Sequence, residues 1–503
     1  MFLDARTLSA AEFKDRVCII GGGIAGIVIA LELESQGIPV TVLESGGFEE
    51  EPRVQKLAQG ELTGRPYYPL ESSRLRYFGG CSHHWAGLCR PLDALDFEAR
   101  DYLAEDGWPL SRATLEPYYR DAREYLALES FPESDPSRLA RVFPADGNFE
   151  LDYEQFSREP YTAVRYREHI TRSRLIKVYL HAHVVALEAD ADDTRLDSLT
   201  VRTLPATSER RLRFSADRFV LATGGIENAR MLMLTGRDRR RAFGDRHANL
   251  GRYFMEHLHV LCGQLAVASP TFPFDLFPRV GYLHPYLRLR DRVQRERGIL
   301  NCRMVLETHT GRGEVNLAPA VRAVAARMDG AATEPGHPPL GVSFISEQEP
   351  NRASYVTLGE SKDVFGNRRP ALHWRLSDLD RKTIDANLWE LARAVGRAGH
   401  GRLRFLAGQH SEWGYDFVTG GHHHMGTTRM HPDPRKGVVD PECRLFDLPN
   451  LYVAGSSVFP MVGHANPTYT LTAIAIRLAR HLGRGLTPPA LTPNSNHAEN
   501  EQR

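Results

Sequence analysis

Apolar residues follow two rhythms along this chain. Solid runs, Val17-Cys18-Ile19-Ile20, Ile38 to Leu43 and Phe219-Val220-Leu221, read as parallel strands buried on both faces. Between the first two runs the period changes to helical as far as Gln36-Gly37, so residues 17–44 read as a strand–helix–strand unit. From about 256 to 420 the apolar positions alternate instead, as in Ser354 to Leu358 and Ala371 to Leu376, with a turn at Phe365-Gly366-Asn367. That texture predicts antiparallel strands. Arg381 to Ala398 reads as an amphipathic helix after the capping pair Ser377-Asp378, and Thr468 to Leu482 reads as a last helix.

The first unit carries candidate chemistry in its turn, Gly21-x-Gly23-x-x-Gly26. Gly21 permits the tight turn, Gly23 lets backbone approach a pyrophosphate, and Gly26 lets helix and strand pack closely. The helix N-terminus supplies unpaired N–H groups to phosphate. Glu44 closes the second strand, where a carboxylate accepts hydrogen bonds from a ribose diol. A dinucleotide is therefore expected. A fingerprint this near the start of a chain favours the ADP half of a resident FAD over NAD.

Composition narrows the setting. At 503 residues the chain has room for two or three domains, and 63 basic against 63 acidic residues advertise no polyanionic partner, so no nucleic acid is expected. Six cysteines without C-x-x-C spacing argue against a disulfide framework or a zinc ribbon and fit a reducing, cytoplasmic location. The polar opening residues show no signal peptide, no apolar run is long enough to span a bilayer, and residues 486–503 read as a disordered tail.

Further along, Gly79-Gly80-Cys81-Ser82-His83-His84-Trp85-Ala86-Gly87 lets backbone lie against a flat ligand that Trp85 can cover. With the dinucleotide unit, this stretch resembles the second motif of the glucose–methanol–choline (GMC) family of FAD-dependent alcohol oxidoreductases. Gly107-Trp108-Pro109-Leu110 with Leu115 to Tyr119, Leu221 to Asn228, and Asn249 to His257 are similar to further family segments. The resemblance runs from about residue 16 to 485. It implies a mixed α/β fold, with a Rossmann-like FAD-binding domain and an inserted α+β substrate-binding domain built on an antiparallel sheet. The expected cofactor domain is discontinuous, 1–105, 171–255 and 421–485; the substrate domain takes 106–170 and 256–420. Gly80, Ser82, His84, Trp85, Ala222, Gly224, Gly455 and Ser456 are the cofactor contacts it implies besides Gly21, Gly23, Gly26 and Glu44.

The C-terminal stretch resembles the family's active-site segments. The active-site histidine of its H-x-x-G-T pattern falls on His423, and the residue before the proline of N-P-x-x-T is Asn466. An imidazole suits removal of a hydroxyl proton near neutral pH, and an amide can hydrogen-bond the same oxygen while a hydride leaves carbon. Asn466, Pro467 and Thr468 open a helix whose N-terminus would face the flavin. A register slip would put the base on His422 or His424 instead. A metal held by the three histidines is disfavoured, because neighbours on an extended chain point to opposite faces. His464 shares a face with Asn466, as substrate contact or supporting hydrogen-bonder, and His257 reads as structural. In some family members a histidine placed like His84 is joined covalently to the flavin; a histidine merely packed on the flavin edge is preferred here. The motif variants resemble the pyranose oxidase and sugar dehydrogenase branch. They imply oxidation of a hydroxyl on a sugar, glycoside or amino sugar, including natural-product and aminoglycoside substrates. A dehydrogenase is favoured over an oxidase, since peroxide made in the cytoplasm is a liability. A catalytically silent flavoprotein and a non-sugar alcohol are the alternatives.

Overall fold

The computed structural model describes residues 1–132, 136–143, 147–204, 209–238, 241–308, 339–405 and 418–486. The tail expected to be disordered lies outside these apart from Leu486.

Strand Glu12–Ile20 and helix Ile24–Ser35 form as the apolar pattern predicts, and strand Val40–Leu43 returns in parallel, with Ile20 opposite Leu43. The two strands of this unit lie side by side in the middle of the first sheet. Its order is Phe2–Asp4, Ile176–Leu180, Val40–Leu43, Glu12–Ile20, Arg211–Leu221, Leu196–Arg202 and His183–Ala189. Leu451–Val453 adds a parallel pairing along the end of Arg211–Leu221, opposite the Glu12–Ile20 side. Three strands far apart in sequence therefore end side by side, at Ile20, Leu221 and Val453. Helices Ile24–Ser35 and Pro467–Gly483 pack together on this sheet, and Arg112–Tyr125 packs on the latter, with Leu115, Tyr119 and Ala122 buried in the same core.

The second sheet is antiparallel throughout, in the order Gly401–Phe405, His257–Val267, Leu340–Glu347, Cys302–Thr308, Leu283–Leu289, Phe149–Phe156 and Leu88–Cys89. Val418–Gly420 pairs with the start of His257–Val267. Helix Asp378–Arg397 covers it, begun by a capping box in which Ser377 accepts from the Asp380 N–H and Asp380 accepts from that of Ser377. The helix starts three residues before the apolar period does, because the cap and not the period sets its first turn. The alternating segments Tyr355–Lys362 and Arg368–His373 pair with each other as read, but they form a separate small sheet with Glu61–Leu62. The architecture is the mixed α/β fold expected, a largely parallel sheet beside an antiparallel one. No helix among the described residues is long and apolar enough to cross a membrane.

Candidate active site

The glycine turn is built as its spacing requires. Gly21 has φ +107°, and a Cβ there would meet the Ala222 carbonyl oxygen at 2.5 Å. One on Gly26 would stand 2.1 Å from the Gly21 oxygen, so the helix seats on the strand only through glycine. Ala222 is itself 8 % exposed, at the end of the neighbouring strand. Glu44 is buried; its Oε2 accepts from the Gly22 N–H (2.9 Å) and its Oε1 from the Gly46 N–H (2.9 Å) and the Ser45 hydroxyl.

The second glycine motif docks on the first: the Gly79 N–H donates to the Gly22 oxygen at 2.9 Å, and Gly23 bridges to Gly79. Gly80 takes φ +51°, and the Ser82 hydroxyl turns inward to the Gly79 oxygen at 2.8 Å. Trp85 spends its indole N–H on the Pro160 oxygen at 2.7 Å, while His84 is exposed, its pKa lowered by partial burial and by His83. The Asn228 side chain pins two more loops. It accepts from the Thr223 N–H and hydroxyl and donates to the Ala454 oxygen and Ser457 hydroxyl, all within 2.9 Å. The Ser456 hydroxyl holds the His424 oxygen at 2.8 Å, tying the histidine loop to the same place.

The fit to FAD rests on open space. A Cβ on Gly23, Gly224 or Gly455 would meet nothing within 4 Å, and these three glycines stand just beyond the three adjacent strand ends. They form a cradle of bare backbone, with the uncapped N-terminus of Ile24–Ser35 beside Gly23.

The three consecutive histidines point three ways. His422, at φ +61°, lies against Tyr68 with ring centroids 4.1 Å apart. The His424 Nε2 meets the Tyr67 hydroxyl at 3.1 Å in a buried niche beside Phe254. His423 alone turns toward strand His257–Val267, its Nδ1 3.0 Å from the His257 Nδ1. Burial, then His257, His259 and Arg303, hold its pKa well below the ordinary value. Among the described residues no cluster suits a metal ion.

Asn466 precedes helix Pro467–Gly483, and its Oδ1 accepts from an Arg303 Nη2 at 3.2 Å. Pro467 is buried at the first helical position, and the Thr468 oxygen accepts from the Thr472 hydroxyl at 2.7 Å. Arg303 is 1 % exposed, pairs through Nη1 with the buried Glu154, and is lowered to about 9 by burial and by Arg90. His464 is buried with its Nε2 3.3 Å from Asp93, so it supports the loop from behind.

Four residues here escaped the sequence reading or were undervalued by it: Tyr67, Glu256, His257 and Arg303. Glu256 is completely buried, and its Oε2 accepts from the N–H groups of His257, Gly421 and His423 at 2.9–3.1 Å while the Tyr67 hydroxyl donates to Oε1. Burial raises its pKa to about 7 against the pull of those donors. His257, read as structural, touches His423 directly. A signal existed: single charged residues in apolar runs, Phe254-Met255-Glu256-His257-Leu258 and Cys302-Arg303-Met304-Val305-Leu306, are rarely buried without a task.

Comparison with known families decides the membership. The family described as FAD dependent oxidoreductase matches residues 16–291, more than half of the chain, and GMC oxidoreductase matches residues 350–475. The chain is a GMC-type FAD-dependent oxidoreductase. Among its relatives, 6'''-hydroxyparomomycin C oxidase of Streptomyces lividus is 25 % identical over 93 % of this chain and 91 % of that protein. 2-Methyl-1,2-propanediol dehydrogenase of Mycolicibacterium austroafricanum is 24 % identical over 93 % and 95 %. The crystal structure of pyridoxine 4-oxidase from Mesorbium loti shares the fold with a TM-score of 0.62 at 19 % identity, covering 93 % of this chain and 99 % of that one. For this GMC-type enzyme the cofactor is accordingly FAD, and the reaction is oxidation of a CH–OH group.

Proposed function

We propose that the enzyme oxidises a hydroxyl group of a sugar, glycoside or amino sugar, with His423 as the proton acceptor and Asn466 bonded to the same oxygen. The reading is carried by one arrangement: Arg303, nearly inaccessible, bonds the amide of Asn466 and acts electrostatically on His423, so two loops distant in sequence share one buried cation. The lowered pKa of His423 keeps its imidazole neutral and able to accept a proton. Asn466 donates through its amide N–H to the substrate oxygen, which localises the departing proton's partner without adding charge. FAD held over the glycine cradle supplies the hydride acceptor. The relatives named for an aminoglycoside and for a diol support a polyhydroxylated substrate. FAD is held without a covalent bond, electrons pass to an acceptor other than oxygen, and the six free cysteines fit a cytoplasmic setting.

Anaerobic titration with sugars, glycosides and aminoglycosides tests this through the flavin's visible absorption. Bleaching by one of them, lost in His423→Ala and Asn466→Ala, is expected. Bleaching that survives both substitutions, or flavin that no polyol bleaches, would overturn the reading. Acid precipitation should release the flavin into the supernatant, and readmitted air should reoxidise it only slowly.

A further inference from the structure

The contact between His257 and His423 contains more information than proximity. Two Nδ1 atoms 3.0 Å apart share one proton between them. The other ring nitrogen of His257, Nε2, lies 3.3 Å from the main-chain oxygen of Val462, which can only accept, so Nε2 carries hydrogen. His257 is completely buried, and burial lowers its pKa to about 3, so its ring is neutral and has just that one hydrogen. Its Nδ1 is therefore an acceptor, and the shared proton sits on the His423 Nδ1.

We infer that His257 is a positioning residue that selects the tautomer of His423, leaving the His423 Nε2 as a bare lone pair aimed away from the sheet toward the substrate. This rests on the reading of His423 as the base. In the step itself the substrate O–H breaks, its proton forms a bond to Nε2, and the imidazolium keeps donating through Nδ1 to His257. His257 gains and loses no proton. The relay also ties the two catalytic loops together, because the Val462 carbonyl lies four residues before Asn466 on the same segment. Glu256 fixes the geometry from the backbone side by accepting from the N–H groups of both His257 and His423.

The two amide residues separate the roles of the two ring nitrogens. Asn in place of His257 sets an amide oxygen near the position of Nδ1 and restores the acceptor. Gln instead reaches the position of Nε2, restoring only the bond to Val462. We expect His257→Asn to keep flavin reduction at saturating substrate within about 10-fold of wild type. His257→Gln should lose roughly 10- to 100-fold, the effect of leaving a buried N–H unpaired and the wrong tautomer populated, with KM changed little in either. Equal rates in the two variants, or a faster Gln variant, would overturn the inference. His423→Ala is run beside them: if it bleaches as wild type does, the base assignment fails, whereas if it is dead while His257→Gln is unimpaired, only the relay fails. Should both His257 variants lose FAD, 15N-histidine spectra of the wild-type holoenzyme decide, with the His423 signals identified by their absence in His423→Asn. A protonated Nδ1 with a bare Nε2 supports the relay, and a protonated Nε2 overturns it.

Discussion

Glu256→Gln is the most informative single change outside the proposed reacting pair, because the amide imitates one protonation state of the acid. All three backbone donors converge on Oε2 and Tyr67 on Oε1, so an amide oxygen can replace Oε2 and an amide N–H can donate to the Tyr67 oxygen, which then turns its proton to the His424 Nε2 at 3.1 Å. The glutamine thus matches the protonated carboxyl bond for bond. Burial raises the acid's pKa from its ordinary 4.5 to about 7. Because the folded value lies above the unfolded one, the stabilising contribution is present below about pH 4.5 and is lost as pH rises through about 7. At about 1.4 kcal/mol per pH unit that loss is roughly 3 kcal/mol. An unfolding entropy of about 2 cal/mol/K per residue gives about 1 kcal/mol/K for a chain of this length, so the loss is worth about 3 °C. The melting temperatures of FAD-loaded wild type and Glu256→Gln, followed by flavin fluorescence, should agree within about 1 °C at pH 4.5. By pH 8.5 the variant should melt about 3 °C higher. A gap that stays constant, or wild type gaining as pH rises, would show that the three N–H donors outweigh burial and hold a carboxylate.

Other outcomes follow from the same geometry. Gly23→Ala, with open space around its Cβ, should fold within about 1 kcal/mol of wild type yet bind FAD at least about 10-fold more weakly, whereas Gly26→Ala, with a backbone oxygen at 2.1 Å, should be destabilised by about 3 kcal/mol; urea melts and flavin titration separate the two. Arg303→Met should leave the buried Glu154 with His284 but without its guanidinium partner, at a cost of about 3 kcal/mol, and free the Asn466 amide to rotate; adding Glu154→Gln should restore stability but not the rate of flavin reduction. Asp93→Asn should remove the anion behind His464 and lower the rate with little effect on FAD content, measured by the visible absorption of the purified protein.

The turn at Gly21, Gly23 and Gly26 was legible because each glycine answers to contacts within one strand–helix–strand unit. Helix Asp378–Arg397 was legible for the same reason, its cap and its apolar face both being local. The hairpin Tyr355–Lys362 with Arg368–His373 was legible as strands, but its parallel partner Glu61–Leu62 lies about three hundred residues away and left no periodic trace. Likewise His423 and Asn466 stood out by motif, while Glu256, His257 and Arg303 looked like isolated polar residues within strands.

The sequence by itself determined the dinucleotide unit and the family resemblance, and it singled out the histidine and asparagine proposed to react. Short-range sterics and spacing dictate such features, and they survive in any context that lets the unit fold. Only the tertiary structure decided which way three adjacent histidines point, which ring nitrogen of His423 faces His257, and which buried cation bonds the Asn466 amide. Those outcomes depend on partners delivered by strands remote in the chain. A buried polar group must find a complement wherever the packed sheets supply one, and the choice among rotamers and tautomers is made there.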